Sequence, residues 1–109
     1  MSNEQLTRAK ALRIFQDWAR SKRATWSEKA LLEFHSDFGR KADPKDALAA
    51  VCRATDANIH KCEPDDTERF RGNTVLVLRV PLRGETAYIK ATMNLEMDHN
   101  VFIYSFKIK

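Results

Sequence analysis

The chain has 109 residues and a formal charge of +4, from 19 Lys and Arg against 15 Asp and Glu. That length fits a single domain, residues 1–109, and a domain of this size buries roughly two thirds of its unfolded surface without staples. A hydrophobic content of 43% beside 31% charged residues excludes general disorder, and no apolar run approaches the ~20 residues of a membrane-spanning helix.

The first half, residues 1–57, reads as mainly helical. Residues 4–22 predict a helix with Ala11, Leu12, Phe15, Trp18 and Ala19 on one stripe and Arg8, Lys10, Arg13 and Arg20 mostly away from it. Ser2 with Gln5 resembles a capping box ahead of it. Thr25-Trp26-Ser27-Glu28 signals a second helix, because a hydroxyl precedes a glutamate by three. It carries Leu31, Leu32 and Phe34 and should stop near Gly39. Asp43 is a good N-cap for a third helix. Pro44 suits its first turn, and Leu48, Ala49, Val51 and Cys52 follow, to about Ala54.

The second half, residues 58–109, reads as mainly antiparallel strands. Asn58 to Cys62 is a short extended piece or a loop, and Glu63 to Asn73 is a polar loop. The period then becomes two. Thr74–Leu82 places Leu76, Leu78, Val80 and Leu82 on one face, and Ala87–Leu95 places Ala87, Ile89, Ala91, Met93 and Leu95 on one face. Arg83-Gly84 is the turn between them, and Glu96 to Asn100 is the next turn. Val101–Lys107 is a third strand, with Phe102, Tyr104 and Phe106 on one face. Short connections imply an antiparallel meander, so the expected fold is α+β, N-terminal helices packed on one face of a small antiparallel sheet.

Register follows from the faces. Burying both apolar sets on one side sets Leu78 beside Ile89 and Arg79 near Tyr88. Met93 should then lie beside Phe102 or Tyr104. The face away from the helices gathers Arg79, Tyr88, Lys90, Thr92 and Lys107, with His99 at its edge. An antiparallel sheet usually has one polar side. Here the charged members are nearly all cationic, with Val75, Val77, Val101 and Ile103 among them. Such a surface suits a nucleotide, since cations hold phosphate and an aromatic ring stacks a base.

The run Ala87-Tyr88-Ile89-Lys90-Ala91-Thr92, followed by His99-Asn100-Val101-Phe102-Ile103-Tyr104-Ser105-Phe106-Lys107, resembles the MqsR family of toxins of type II toxin–antitoxin systems. That family ends in a Tyr-x-Lys-x-Thr strand, a short His-containing turn, an apolar strand and Ser-Phe-Lys. Ile59-His60-Lys61 is similar to its aromatic-Lys segment, Arg79 with Pro81 to its basic strand, and Ala47–Cys52 to its middle helix. The likeness covers residues 23 to 109 and is most specific over the last twenty or so. The family's glutamine upstream of the basic strand has no counterpart around Thr74, and the Asn94–Asp98 segment is longer than its turn.

The resemblance implies a RelE-like fold and an endoribonuclease that cleaves single-stranded mRNA without a metal or cofactor. It also implies a cognate antitoxin as partner. The implied chemistry is attack of a ribose 2′-OH on the adjacent phosphate, giving a cyclic phosphate and a 5′-OH end. Lys61, Tyr88, Lys107 and His99 are the implied catalytic residues, and Arg79 and Lys90 the implied phosphate-binding ones. A base, an acid and cations for the extra phosphate charge are what this reaction needs. The alternatives are a non-catalytic basic RNA-binding or protein-interaction module, and an adaptor working through the first helix.

The remaining notable residues have plainer readings. His35 and His60 read as surface or half-buried side chains, and the histidines and cysteines show no zinc spacing. Cys52 and Trp18 read as core. Trp26 reads as a helix-entry staple, and Cys62 as a loop cysteine or a reactive thiol. Glu63, Asp65, Asp66 and Glu68 read as a solvated loop. Cys52 and Cys62 form no C-x-x-C pair, and the polar stretch Met1 to Arg13 carries no secretory pattern, so a cytoplasmic, reduced protein with no membrane contact is expected. The pI near 9.3 agrees with a polyanionic partner. Residues 1–42 hold nine Lys and Arg against five Asp and Glu, while residues 43–109 hold ten of each, so the whole excess lies in the helical flank.

Overall fold

The computed structural model describes residues 3–21, 23–96 and 99–108, with the side chains of residues 99 and 100 outside the description. It is α+β. Three helices, α1 (Asn3–Arg20), α2 (Glu28–Phe38) and α3 (Pro44–Cys52), accompany a five-stranded sheet. The strands are β1 (Thr25–Trp26), β2 (Ile59–Pro64), β3 (Thr74–Leu82), β4 (Glu85–Asn94) and β5 (His99–Ile108), in the order β1-β5-β4-β3-β2. No described helix is long and apolar enough to cross a membrane.

Helix starts follow local chemistry. Ser27 is the N-cap of α2, its hydroxyl accepting from the Ala30 N–H at 3.0 Å. Asp43 caps α3 by accepting from Lys45 N–H at 2.9 Å, with Pro44 in the first turn. The expected Ser2 cap of α1 lies outside the described residues. The α1 stripe is buried as expected, with Ile14 added to it. Gln16 on that helix donates its amide to the carbonyls of Val51, Cys52 and Ala54, at 3.2, 3.3 and 2.8 Å, and so satisfies the C-terminal end of α3.

The sheet is mixed rather than antiparallel. Thr25 and Trp26 do not begin a helix; they form β1, parallel to Phe102 and Ile103 of β5. Ser27 N–H donates to Ile103 O at 2.8 Å and completes that short ladder. With Ser27 holding the cap, the two residues before it are free to take the extended form that Thr and Trp favour. The segment expected as a short extended piece or loop is β2, antiparallel to β3. Between β3 and β4 the two-residue turn has positive φ at both positions, 52° at Arg83 and 79° at Gly84, the form that matches the twist of flanking strands.

The β3–β4 register is the expected one. Leu78 pairs with Ile89 and Arg79 with Tyr88. Leu76, Leu78, Val80, Ala87, Ile89, Ala91 and Met93 join the helix stripes in one core cluster. β5 departs from expectation. Lys90 pairs with Ser105 but Ala91 with Ile103, so Tyr104 is an extra residue in a bulge. One inserted residue inverts the alternation beyond it. Phe106 therefore stays in the core, together with Val101 and Ile103, while Phe102 and Tyr104 are absent from that cluster.

Phe106 centres an aromatic cluster. Its ring centroid is 5.2 Å from Trp26 (stacked), 5.2 Å from Phe34 and 6.0 Å from Phe38 (both edge-on). Trp26 is thus a packing partner of β5 and α2 rather than a staple alone. Beyond β1 the edge of β5 is closed by carboxylates of α2. Glu33 accepts from Ser105 Oγ at 3.0 Å and from Phe106 N–H at 3.3 Å, and Asp37 accepts from Ile108 N–H at 2.7 Å. Leu32, by contrast, faces outward, 65% exposed.

Phe106→Ala is expected to lower stability by about 3–5 kcal/mol, measured by urea unfolding with tryptophan fluorescence, because it empties the centre of the cluster. A loss under about 1 kcal/mol would place the weight of the core elsewhere.

Candidate functional site

The sheet face opposite the core cluster carries the polar rows. Arg79 on β3, Tyr88 on β4 and Lys107 on β5 stand opposite one another across three strands. Adjacent strands lie about 4.8 Å apart, so the row spans a phosphate and its two ester oxygens. The Lys107 ammonium sits 5.8 Å from the centre of the Tyr88 ring. At the other end of the row, Arg79 Nη2 is 3.3 Å from His60 Nε2. The His60 and Tyr88 rings are edge-on, 6.3 Å apart.

β2 joins this face through a second bulge. Ile59 pairs with Leu78 and Lys61 with Val77, so His60 is the extra residue. Lys61 is exposed and on the face of Val77, one pleat repeat from Arg79. The structure therefore brings Arg79, Tyr88 and Lys107 together, sets Lys61 beside them on the edge strand, and adds His60. In the sequence His60 is part of the Ile59-His60-Lys61 likeness but reads as a surface or half-buried side chain, with no role of its own.

His99 does not join them. Its strand position pairs with Asn94, six residues along β4 from Tyr88, which is about 20 Å at strand rise. Its side chain lies outside the described residues.

Lys90 heads a second row. Its ammonium lies 5.1 Å from the centre of the Tyr104 ring. Phe70, from the 65–73 loop, lies nearly parallel to Tyr104 (9°, 6.4 Å) and 5.3 Å from Phe102. The Arg69 guanidinium covers Phe70 and Phe102 at 4.9 and 5.2 Å. The bulge at Tyr104 puts these rings here, where the sequence alternation had placed them in the core. Cations thus lie over half-buried rings along this row.

Asp65 corrects the expected solvated loop. It is 6% exposed, unlike Glu63, Asp66 and Glu68. One carboxylate oxygen accepts from Thr92 Oγ1 at 2.7 Å; the other accepts from Thr67 N–H at 2.9 Å and Thr67 Oγ1 at 2.7 Å. Its own N–H donates to Asn73 O at 2.9 Å and closes the loop. Burial opposes the charge, yet the Thr67 and Thr92 hydrogen bonds and nearby Lys90 outweigh it, and the carboxyl titrates below its ordinary value. Tyr104 moves the other way. Burial first, then the charges of Asp65, Asp66 and Glu63, push its phenol up to about 12, so it acts here as a neutral ring and hydroxyl.

Cys62 lies in β2 beside Glu4 and Thr7 of α1. Burial, with Glu4 and Glu63 and against Arg8, pushes its thiol above the ordinary value, which removes the basis for a reactive thiolate at neutral pH. His35 Nδ1 lies 3.3 Å from Gly39 O, with its ring against Phe34. Among the described residues no three His, Cys, Asp or Glu side chains converge as a metal-binding group. A cleft of about 380 Å³ opens elsewhere, between Arg53, Asn58 and the Arg83-Gly84 turn.

No protein-family model, curated protein or solved structure matches this chain. The residues themselves therefore carry the functional reading.

Asp65→Ala is expected to cost about 1–3 kcal/mol at neutral pH, since it strands the fully buried Thr92 hydroxyl. The folded-state pKa is depressed, so the wild-type advantage is complete above the unfolded value of about 4 and is lost as pH falls through the folded value. Urea unfolding at neutral and acid pH checks this; a gap that does not narrow in acid would mean the charge is not its source.

Proposed function

We propose that this chain is an mRNA endoribonuclease toxin of RelE-like type, metal-independent, cytoplasmic and held inactive by a cognate antitoxin. The resemblance of residues 87–107 to the MqsR family supplies the substrate. The observation that carries the reading is the three-strand row of Arg79, Tyr88 and Lys107, which sets a guanidinium, a phenol and an ammonium within reach of one phosphodiester.

In this reading the ribose 2′-oxygen bonds to phosphorus as the bond from phosphorus to the 5′-oxygen breaks. The products are a 2′,3′-cyclic phosphate and a 5′-OH. Arg79 grips two phosphate oxygens, because its planar fork matches them. Lys107 and, from the edge strand, Lys61 stabilise the extra negative charge of the transition state. Tyr88 stands where its hydroxyl reaches an ester oxygen. Lys90 holds a neighbouring phosphate from its place over the Tyr104 ring. The basic flank of residues 1–42 adds long-range attraction to RNA or to an acidic antitoxin.

Purified protein mixed with a defined single-stranded RNA in the presence of a chelator is expected to give discrete fragments with cyclic phosphate and 5′-OH ends. Arg79→Ala, Tyr88→Phe and Lys107→Ala should each slow cleavage about 100-fold or more while thermal unfolding is little changed. RNA that is retarded in a gel but left intact would overturn the enzyme in favour of a binding module.

A further inference from the structure

Three observations meet at His60. The first is the contact of Arg79 Nη2 with His60 Nε2 at 3.3 Å. A guanidinium has only donors, so this contact needs Nε2 as the acceptor, which puts the ring proton on Nδ1. The second is Arg79 itself. Its Nε is buried and has no hydrogen-bond partner among the described residues. Nε–H and the Nη2 that touches His60 share an edge of the guanidinium and match two oxygens of a phosphate, so an anion that displaces His60 would satisfy a donor otherwise left buried and unpaired. The third is the bulge between Ile59 and Lys61, which turns His60 toward Arg79 and Tyr88. Bulges of this kind re-aim side chains beside active sites.

We infer that His60 is the general base of the reaction, held by Arg79 until RNA arrives. The inference rests on the ribonuclease reading and names the group that reading left open. An incoming phosphate takes the Nε–H and Nη–H edge of Arg79 and releases Nε2. That lone pair accepts the 2′-OH proton as the 2′-oxygen bonds to phosphorus. The bond to the 5′-oxygen breaks, and the departing oxygen takes the proton of the Tyr88 hydroxyl, with Lys107 beside the phenolate that results. His60 gains one proton and Tyr88 loses one, and exchange with water restores both. The groups around the imidazole are Lys61 on its own strand, Arg79 on β3, Tyr88 on β4 and, behind the phenol, Lys107 on β5. With its proton on Nδ1 the imidazole carries its lone pair on Nε2, and a lone pair that can be turned to the 2′-OH is what a general base requires.

The test uses single-turnover cleavage of one defined RNA over a range of pH, for wild type, His60→Gln and His60→Ala. The same RNA with a 2′-deoxyribose at the cleaved position cannot react and measures binding alone. Both variants are expected to bind the deoxy RNA as tightly as wild type and to cut the reactive RNA about 100-fold more slowly. The acid limb of the rate profile should vanish, and added imidazole should partly restore His60→Ala. Variants that cut at the wild-type rate with an unchanged profile would overturn the inference and leave the ribonuclease standing. Slow variants that keep the acid limb and gain nothing from imidazole would also overturn it, making His60 a positioning residue for Arg79. A wild-type protein that binds the RNA and leaves it intact would overturn both readings.

Discussion

The structure depends on the hydrogen-bonded ladder of β3, β4 and β5, in which Leu78 faces Ile89 and Arg79 faces Tyr88. A sheet with side chains alternating between two faces has one decisive variable, its register. With this register, every branched residue at 76, 78, 80 and 89 enters the core cluster, and Arg79, Tyr88 and Lys107 form a row on the other side. A slip by one residue would turn the Arg79 guanidinium into the core and expose the leucines. The energy that buries the core therefore also aligns the cations. No separate interaction is needed to collect them.

The bulges at His60 and Tyr104 then refine what the alternation provides. The one at His60 rotates an edge strand so that an imidazole reaches Arg79; the one at Tyr104 turns Phe102 and Tyr104 out of the core. The second has a structural consequence that must be met, because it leaves large rings on a face without helices. Phe70 from the 65–73 loop covers them, and the loop is held down by the buried Asp65 carboxylate on Thr92 and Thr67. A bulge, a ring stack and a buried charge are thus one unit, and it borders the Arg79 row through Lys90.

The placement of acidic groups matters as much as that of the cations. The strand half is neutral in sum, with ten Lys and Arg and ten Asp and Glu in residues 43–109. Its open face nonetheless gathers Arg79, Lys90 and Lys107, while several carboxylates are engaged in hydrogen bonds or ion pairs. Asp65 is turned inward on threonine hydroxyls, and Asp46 pairs with Arg83 at the hairpin turn. From α2, Glu33 and Asp37 close the edge of β5. That edge would otherwise offer free N–H groups to another chain.

Much of this was legible from the residues alone. The helix at Asp43-Pro44 is written in its cap, and the β3–β4 hairpin in its alternation and the Arg83-Gly84 turn, since these depend on neighbours a few residues away. The second helix reads in the sequence as starting from Thr25, whereas Ser27 caps it. The alignment of Arg79 with Tyr88 followed from burying two apolar faces together. Tertiary structure alone decided the rest. Thr25 and Trp26 became a strand because β5 offered an edge, and the polar segment 59–64 became one because β3 did. The bulges at His60 and Tyr104 break the period on which sequence reading relies, and nothing in the local residues marks them. They exist because partner strands and the core behind them fix where each chain must cross, and that is a property of packing, not of any stretch of sequence.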